Sequence, residues 1–253
     1  MRAIDGAIAR EQPPRAVRLD RRALLRLSAG AGIAASSVVM KVSLAALAQD
    51  APPPLADATA EPRLIARVRA EEWAALASGP ATPAAGEALA GSALLAVLRE
   101  GGFVIYFRHA RTDFSQDDTH LSDLTDCATQ RNLSTEGREQ ARAIGAAMRA
   151  LAIPIGEVLS SELCRARETA ELAFGRATPW PDLTSFGTAS SDAEEEERAA
   201  ALVQLLAIPP EPGTNTVLVG HLFNIQRAVG ISLAEGEAAI FVSPRSGAAT
   251  PSP

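Results

Sequence analysis

Gly101-Gly102-Phe103-Val104-Ile105-Tyr106-Phe107-Arg108-His109 is the stretch on which the fold turns. Two glycines end a helical pattern, and an unbroken apolar run follows. A strand with one wet face alternates apolar and polar residues. A run that is apolar on both faces is buried on both, the habit of a parallel strand covered by helices. Arg108 and His109 then close the run, and a core does not accept such groups without partners. In open α/β sheets, ligands collect beyond the carboxyl ends of the strands.

Outward from this strand the same alternation repeats. Residues 110–133 form a long polar loop, and Ser134 caps a helix running to about Leu151, with Ile144, Met148 and Leu151 on one face. Ile155 to Leu159 is a second strand and Glu162 to Phe174 a helix. Residues 175–192 are irregular, with a short strand near 178–180. Glu194 to Leu206 is a helix whose acidic start suits the positive end of its dipole. Thr216 to Val219 is a strand ending at Gly220-His221, Phe223 to Val229 a helix, and Ala238 to Val242 a last strand suited to a sheet edge. Upstream, Ser92 to Arg99 is a short helix and 78–91 is turn-rich. Pro62 to Ala77 reads as one helix, with Leu64, Val68, Trp73 and Leu76 available for packing. The pattern predicts an α/β fold, a three-layer α/β/α sandwich with a mostly parallel central sheet, over 92–245. Residues 49–91 form an N-terminal extension with a short helix, and 246–253 a flexible tail.

Composition removes several classes. The 253 residues carry 24 basic and 30 acidic side chains, a net charge of -6, with 47% hydrophobic residues. That excludes a wholly disordered chain, a basic nucleic-acid scaffold and a polybasic membrane-surface protein. Two cysteines make neither a cysteine-rich zinc module nor a disulfide-dense mini-domain. No HExxH or EF-hand spacing occurs, and Glu194 to Glu197 reads as a solvated helix start, so no metal is expected.

The first 48 residues read as an address. An arginine pair, Arg21-Arg22, precedes Leu24 and Leu25; a small-residue-rich apolar stretch follows from Leu27 to Leu47, ending in the A-x-A site Ala46-Leu47-Ala48. The segment 1–48 resembles a twin-arginine (Tat) signal, which implies the Tat export machinery as a partner and a periplasmic or secreted destination. Lys41 and the many small residues make it a weak membrane span, so no stable insertion is expected after cleavage. The alternative is that the segment stays attached as an anchor. Residues 1–48 hold eight basic and three acidic side chains, so cleavage after Ala48 leaves 205 residues at net charge -11. Lys41 is the single lysine. Schiff-base and Walker-lysine chemistry are thereby excluded from the mature chain.

Three strand ends carry the chemistry: Arg108-His109, then Ser160-Ser161 with Arg165 one turn into the next helix, then Gly220-His221. If those strands are parallel neighbours, two arginines and two histidines converge. Arginine forks suit phosphate oxygens, and neutral imidazole is a competent nucleophile.

The wording of these segments sharpens that reading. Arg108-His109-Ala110-Arg111-Thr112 resembles the R-H-G-x-T signature of the histidine phosphatase superfamily, also called phosphoglycerate mutase-like. Leu133-Ser134-Thr135-Glu136-Gly137 resembles its L-[ST]-x-x-G segment. Ser161 to Ala170 resembles its S-x-x-x-R-A-x-x-T-A segment, and Val219-Gly220-His221 the segment of the second histidine. The segments stand in family order over roughly residues 99–245. The resemblance implies that His109 is the phosphorylated nucleophile and that Arg108, Arg165 and His221 hold the phosphoryl group. It further implies that Thr112 adds a hydroxyl, that water hydrolyses the phosphohistidine, and that no cofactor is required. Asn224 matches the last position of an H-D-x-N arrangement and is a second substrate-binding candidate.

The proton donor departs from the family pattern. Leu183-Thr184-Ser185 stands where an L-x-E segment aligns, and Leu222 follows His221 where other members carry aspartate. Asp113, Asp117, Asp118 and Asp182 are the loop candidates, with Asp113 and Asp117 ranked first by proximity in sequence. A missing donor favours substrates with good leaving groups. In an oxidising compartment Cys127 and Cys164 are expected to pair and pin the loop over the pocket. The expected function is a phosphomonoester hydrolase working through phosphohistidine, acting on a phosphorylated small molecule or phosphoprotein. The alternatives are a phosphohistidine-protein phosphatase and a phosphate-binding envelope protein with little activity.

Overall fold

The computed structural model describes residues 61–78, 90–184 and 191–243. The segment 1–48 with its signal-like pattern, the lead-in up to residue 60 and the tail from 246 lie outside the described residues.

Six strands form one sheet: β1 (Arg63–Val68), β2 (Phe103–Arg108), β3 (Ile155–Ser160), β4 (Thr178–Pro179), β5 (Asn215–Gly220) and β6 (Ala238–Val242). Their spatial order is β1-β6-β2-β5-β3-β4. The run β2-β5-β3-β4 is parallel throughout, and β6 is antiparallel to both neighbours. The helices are α1 (Gly91–Glu100), α2 (Thr135–Ala150), α3 (Cys164–Phe174), α4 (Asp192–Leu206) and α5 (Leu222–Val229). The sandwich is the three-layer, mostly parallel α/β arrangement that the alternation predicts.

The β2 run divides by parity. Phe103, Ile105 and Phe107 join a core with Leu94, Leu98, Ile144, Met148 and Ala170 from α1, α2 and α3. Val104 and Tyr106 join a second core with Leu202, Leu206 and Ile225 from α4 and α5. Burial on both faces is why the run is continuously apolar. Ser134 caps α2 as expected, its hydroxyl accepting the Gly137 amide at 3.0 Å.

Two expectations are corrected. The helix assigned to Pro62–Ala77 is instead strand β1 followed by a 3-10 segment, Ala70–Ser78. Leu64 and Val68 suit a helix face by spacing, but β1 pairs along β6 with a register shift between Leu64 and Ala66, and that pairing overrides the local pattern. The sheet therefore begins before residue 92. The last strand does not lie at an edge. β6 sits between β1 and β2, with all of Ala238–Val242 buried. After the short α5, the chain returns to the carboxyl end of β2, where Ala238 stands opposite Phe107. β6 therefore runs against its neighbours, and residues 233–237 lie beside the end of β2.

Candidate active site

The parallel register β2-β5-β3 brings the three strand ends together. Arg108 pairs with Gly220 across β2 and β5, and Ser160 with Val219 across β3 and β5. His109 and His221 follow directly, both 3% exposed, with ring centroids 5.2 Å apart. Arg165, 4% exposed, comes from the first turn of α3.

Each imidazole is held. His109 Nδ1 lies 2.8 Å from the Ala110 carbonyl oxygen. A carbonyl only accepts, so Nδ1 carries the proton and Nε2 keeps its lone pair. His221 Nε2 shares a 2.8 Å hydrogen bond with Ser161 Oγ, which also accepts the Leu163 amide. Tyr106 braces His221 from the backbone side. Its hydroxyl accepts the His221 amide and donates to the His221 carbonyl, both at 2.8 Å. A side chain at Gly220 would overlap that hydroxyl, which accounts for the glycine before His221. Burial raises the Tyr106 phenol well above its ordinary range, so it stays a donor.

The site is positive where an anion would sit. Burial pushes His109 down to about 3, with Arg165, Arg108 and Arg131 adding to that and the Ala110 bond opposing it. Burial and the same arginines, together with His109, hold His221 well below the usual imidazole range. Nε of Arg108, Arg131 and Arg165 is buried without a protein partner in each case. Three guanidinium donors around two neutral imidazoles leave unspent hydrogen-bonding capacity that a tetrahedral oxyanion fits.

Two carboxylates answer this charge. Asp118 Oδ1 accepts from Arg165 Nη1 at 3.0 Å and from the Arg131 amide at 2.9 Å. Glu235 Oε1 accepts the Thr112 hydroxyl at 2.8 Å and lies 3.6 Å from Arg108 Nη2. Thr112 thus faces Glu235. Asn224 is buried and donates its amide to the Thr184 carbonyl at 2.9 Å, and its Oδ1 has no protein partner.

The first-ranked donor candidates do not reach this cluster. Asp113 turns back on its own loop, its carboxylate accepting the Ser115 backbone amide and hydroxyl and the Gln116 side-chain Nε2. The Ser115 bonds hold its carboxyl below the usual range, which suits a turn anchor rather than an acid. Asp117 is exposed. Among the described residues, neither makes a hydrogen bond or ion pair to Arg108, His109, Arg165 or His221. Asp118 does touch the site, through Arg165. Sequence reasoning passed over Arg131, two residues ahead of the Leu133–Gly137 segment, and Glu235, which has no motif beside it. Ser161 did carry a signal, as a hydroxyl at a strand end.

Cys127 and Cys164 form a disulfide, with Cα atoms 5.7 Å apart. It ties the loop carrying Asp118 and Arg131 to the residue before Arg165.

Residues 104–211 match the family model of the histidine phosphatase superfamily (branch 1). The matched span contains Arg108, His109 and Arg165. No curated protein matches the chain. Among solved structures, the chain is similar to a phosphoglycerate mutase from Thermus thermophilus, with 23% identity, 54% of this chain and 91% of that chain covered, and a TM-score of 0.36. It is also similar to the protein histidine phosphatase SixA complexed with tungstate, with 18% identity, 56% and 97% covered, and a TM-score of 0.35.

Proposed function

We propose that the chain is a phosphomonoester hydrolase that works through a phosphohistidine on His109, in the bacterial periplasm after twin-arginine export. One observation carries the reaction. His109 is neutral, its Nδ1 proton is held by Ala110, and its Nε2 lone pair belongs to a site lined by His221 and arginines with unspent donors. Nε2 attacks phosphorus and the ester oxygen leaves. Arg108, Arg165 and His221 hold the equatorial oxygens, doing with fixed positive charge what metal ions do elsewhere. Water then attacks the phosphohistidine and releases phosphate. The arginine pair ahead of Leu24 and the Cys127–Cys164 disulfide support the location, because disulfides persist in oxidising compartments.

The test is a substrate panel of phosphosugars, nucleotides, phytate and a phosphohistidine peptide, with detection of acid-labile phosphate on the protein. Wild type is expected to turn over a monoester and to form phosphohistidine. His109→Ala is expected to lose both, with kcat falling by about 10⁴-fold or more. Turnover that survives the substitution removes the assignment.

A further inference from the structure

We propose that Glu235 is the proton donor to the leaving group and the base for the hydrolytic water in the reaction at His109. The inference rests on the phosphatase reading above.

Glu235 stands where its chain segment is most firmly held. The Gly236 amide donates to the carbonyls of both Arg108 and His109, at 3.2 and 2.9 Å. Glu237 is anchored through Arg67, and its other oxygen takes the Ala234 amide at 2.8 Å. The carboxyl group between these anchors touches Thr112 and Arg108, and its charge also reaches Arg165. It opens on a cavity of about 620 Å³ whose walls include Arg111, Thr112, Phe114 and Gln140. Of the cluster around His109, Thr112 and Glu235 border this cavity, so a substrate group seated there would present its leaving oxygen to Glu235.

Asp118 is the competing carboxylate, and the contacts separate the two. Asp118 closes a direct 3.0 Å ion pair with Arg165, which a proton on the carboxyl would break. Glu235 is held at short range by a neutral hydroxyl, and its cation lies farther off at 3.6 Å. A carboxyl group keeps the Thr112 bond on Oε1 while Oε2 carries the proton.

The steps balance. As the His109 Nε2–P bond forms and the P–O bond to the leaving group breaks, the Glu235 carboxyl passes its proton to the departing oxygen. The resulting carboxylate takes a proton from the incoming water as its oxygen bonds to phosphorus and the P–N bond breaks. Inorganic phosphate leaves and Glu235 is again a carboxyl group.

The full chain is assayed on p-nitrophenyl phosphate, whose leaving group needs no proton, and on glycerol 2-phosphate, whose leaving group does. Glu235→Gln is expected to lose about 10²–10³-fold in kcat on the alkyl ester and less than about 10-fold on the aryl ester. Glu235→Asp is expected to recover part of the alkyl activity. Equal losses on both esters, no loss on either, or a leaving-group-dependent loss in Asp118→Asn in place of Glu235→Gln overturns the assignment. A wild-type chain that hydrolyses neither ester, or a His109→Ala chain that still hydrolyses both, removes the phosphatase reading and the Glu235 role with it.

Discussion

His109 is kept neutral by its surroundings, and this has a consequence for the folded protein as well as for catalysis. An unfolded chain takes up a proton at this histidine near 6.5, whereas the folded one does so only near 3. Between those values the unfolded state binds more protons, so the stability contributed by neutral His109 is complete above pH 6.5 and is lost as pH falls towards 3. His221 is shifted in the same direction. Urea unfolding of wild type and His109→Gln at pH 7, 6, 5 and 4 measures this. The wild-type stability is expected to fall more steeply, by up to about 1.4 kcal/mol per pH unit. At this scale Arg108, His109, Arg165 and His221 are legible because each sits at a strand end or a first helical turn, inside a motif. Arg131 and Glu235 are not, because a charged residue in a loop looks the same whether it faces solvent or a buried arginine.

The loop after β2 owes its place to α3 and α2. Cys127 is bonded to Cys164 across a separation of 37 residues, and the Cys164 amide also donates to Gln130 at 2.9 Å. At the loop's far end, Thr112 and Leu133 bridge, and Ser134 donates its amide to the Arg111 carbonyl at 3.0 Å. Gly137 packs against that same carbonyl with no room for a Cβ, the physical reason for the glycine in this helix start. Closing a loop of this length limits the unfolded chain by up to about 4 kcal/mol in the chain-entropy account. The double variant Cys127→Ala/Cys164→Ala is expected to unfold at lower denaturant. It is also expected to bind inorganic phosphate more weakly, because Asp118 and Arg131 lose the tether that holds them near Arg165. Equilibrium unfolding and phosphate titration check the two effects separately. The start of α2 was readable at this scale, since Ser134 accepts the amide three residues on, whereas α4 begins at Asp192 behind the cap Ser191, two residues before the acidic run suggests. The identity of β1 was not readable, since six residues with Leu64 and Val68 at helical spacing also fit a bulged strand.

Across the whole molecule, β1 and the segment behind it complete the sheet from outside the span of 92–245. Trp73 is fully buried against Phe107, with ring centroids 5.7 Å apart, and Phe107 meets Phe174 of α3 at 5.8 Å. The stack supports the residue immediately before Arg108. Trp73→Ala is expected to cost about 3–5 kcal/mol in chemical denaturation, the usual result of emptying a large buried site. Local sequence alone sufficed for the buried character of β2, the alternation of strands and helices, and the four motif residues at strand ends and in a first helical turn. These features depend on periodicity and on neighbours a few residues away. Which helices cover which face of the sheet was beyond it, because β2 is apolar on both sides and either assignment buries the same surface. The direction and interior position of β6 were also settled only by packing, through pairing with β2 and β1 at large sequence separation. That reversal carries Glu235 to the end of β2, and the parallel register of β2, β5 and β3 sets His221 beside His109.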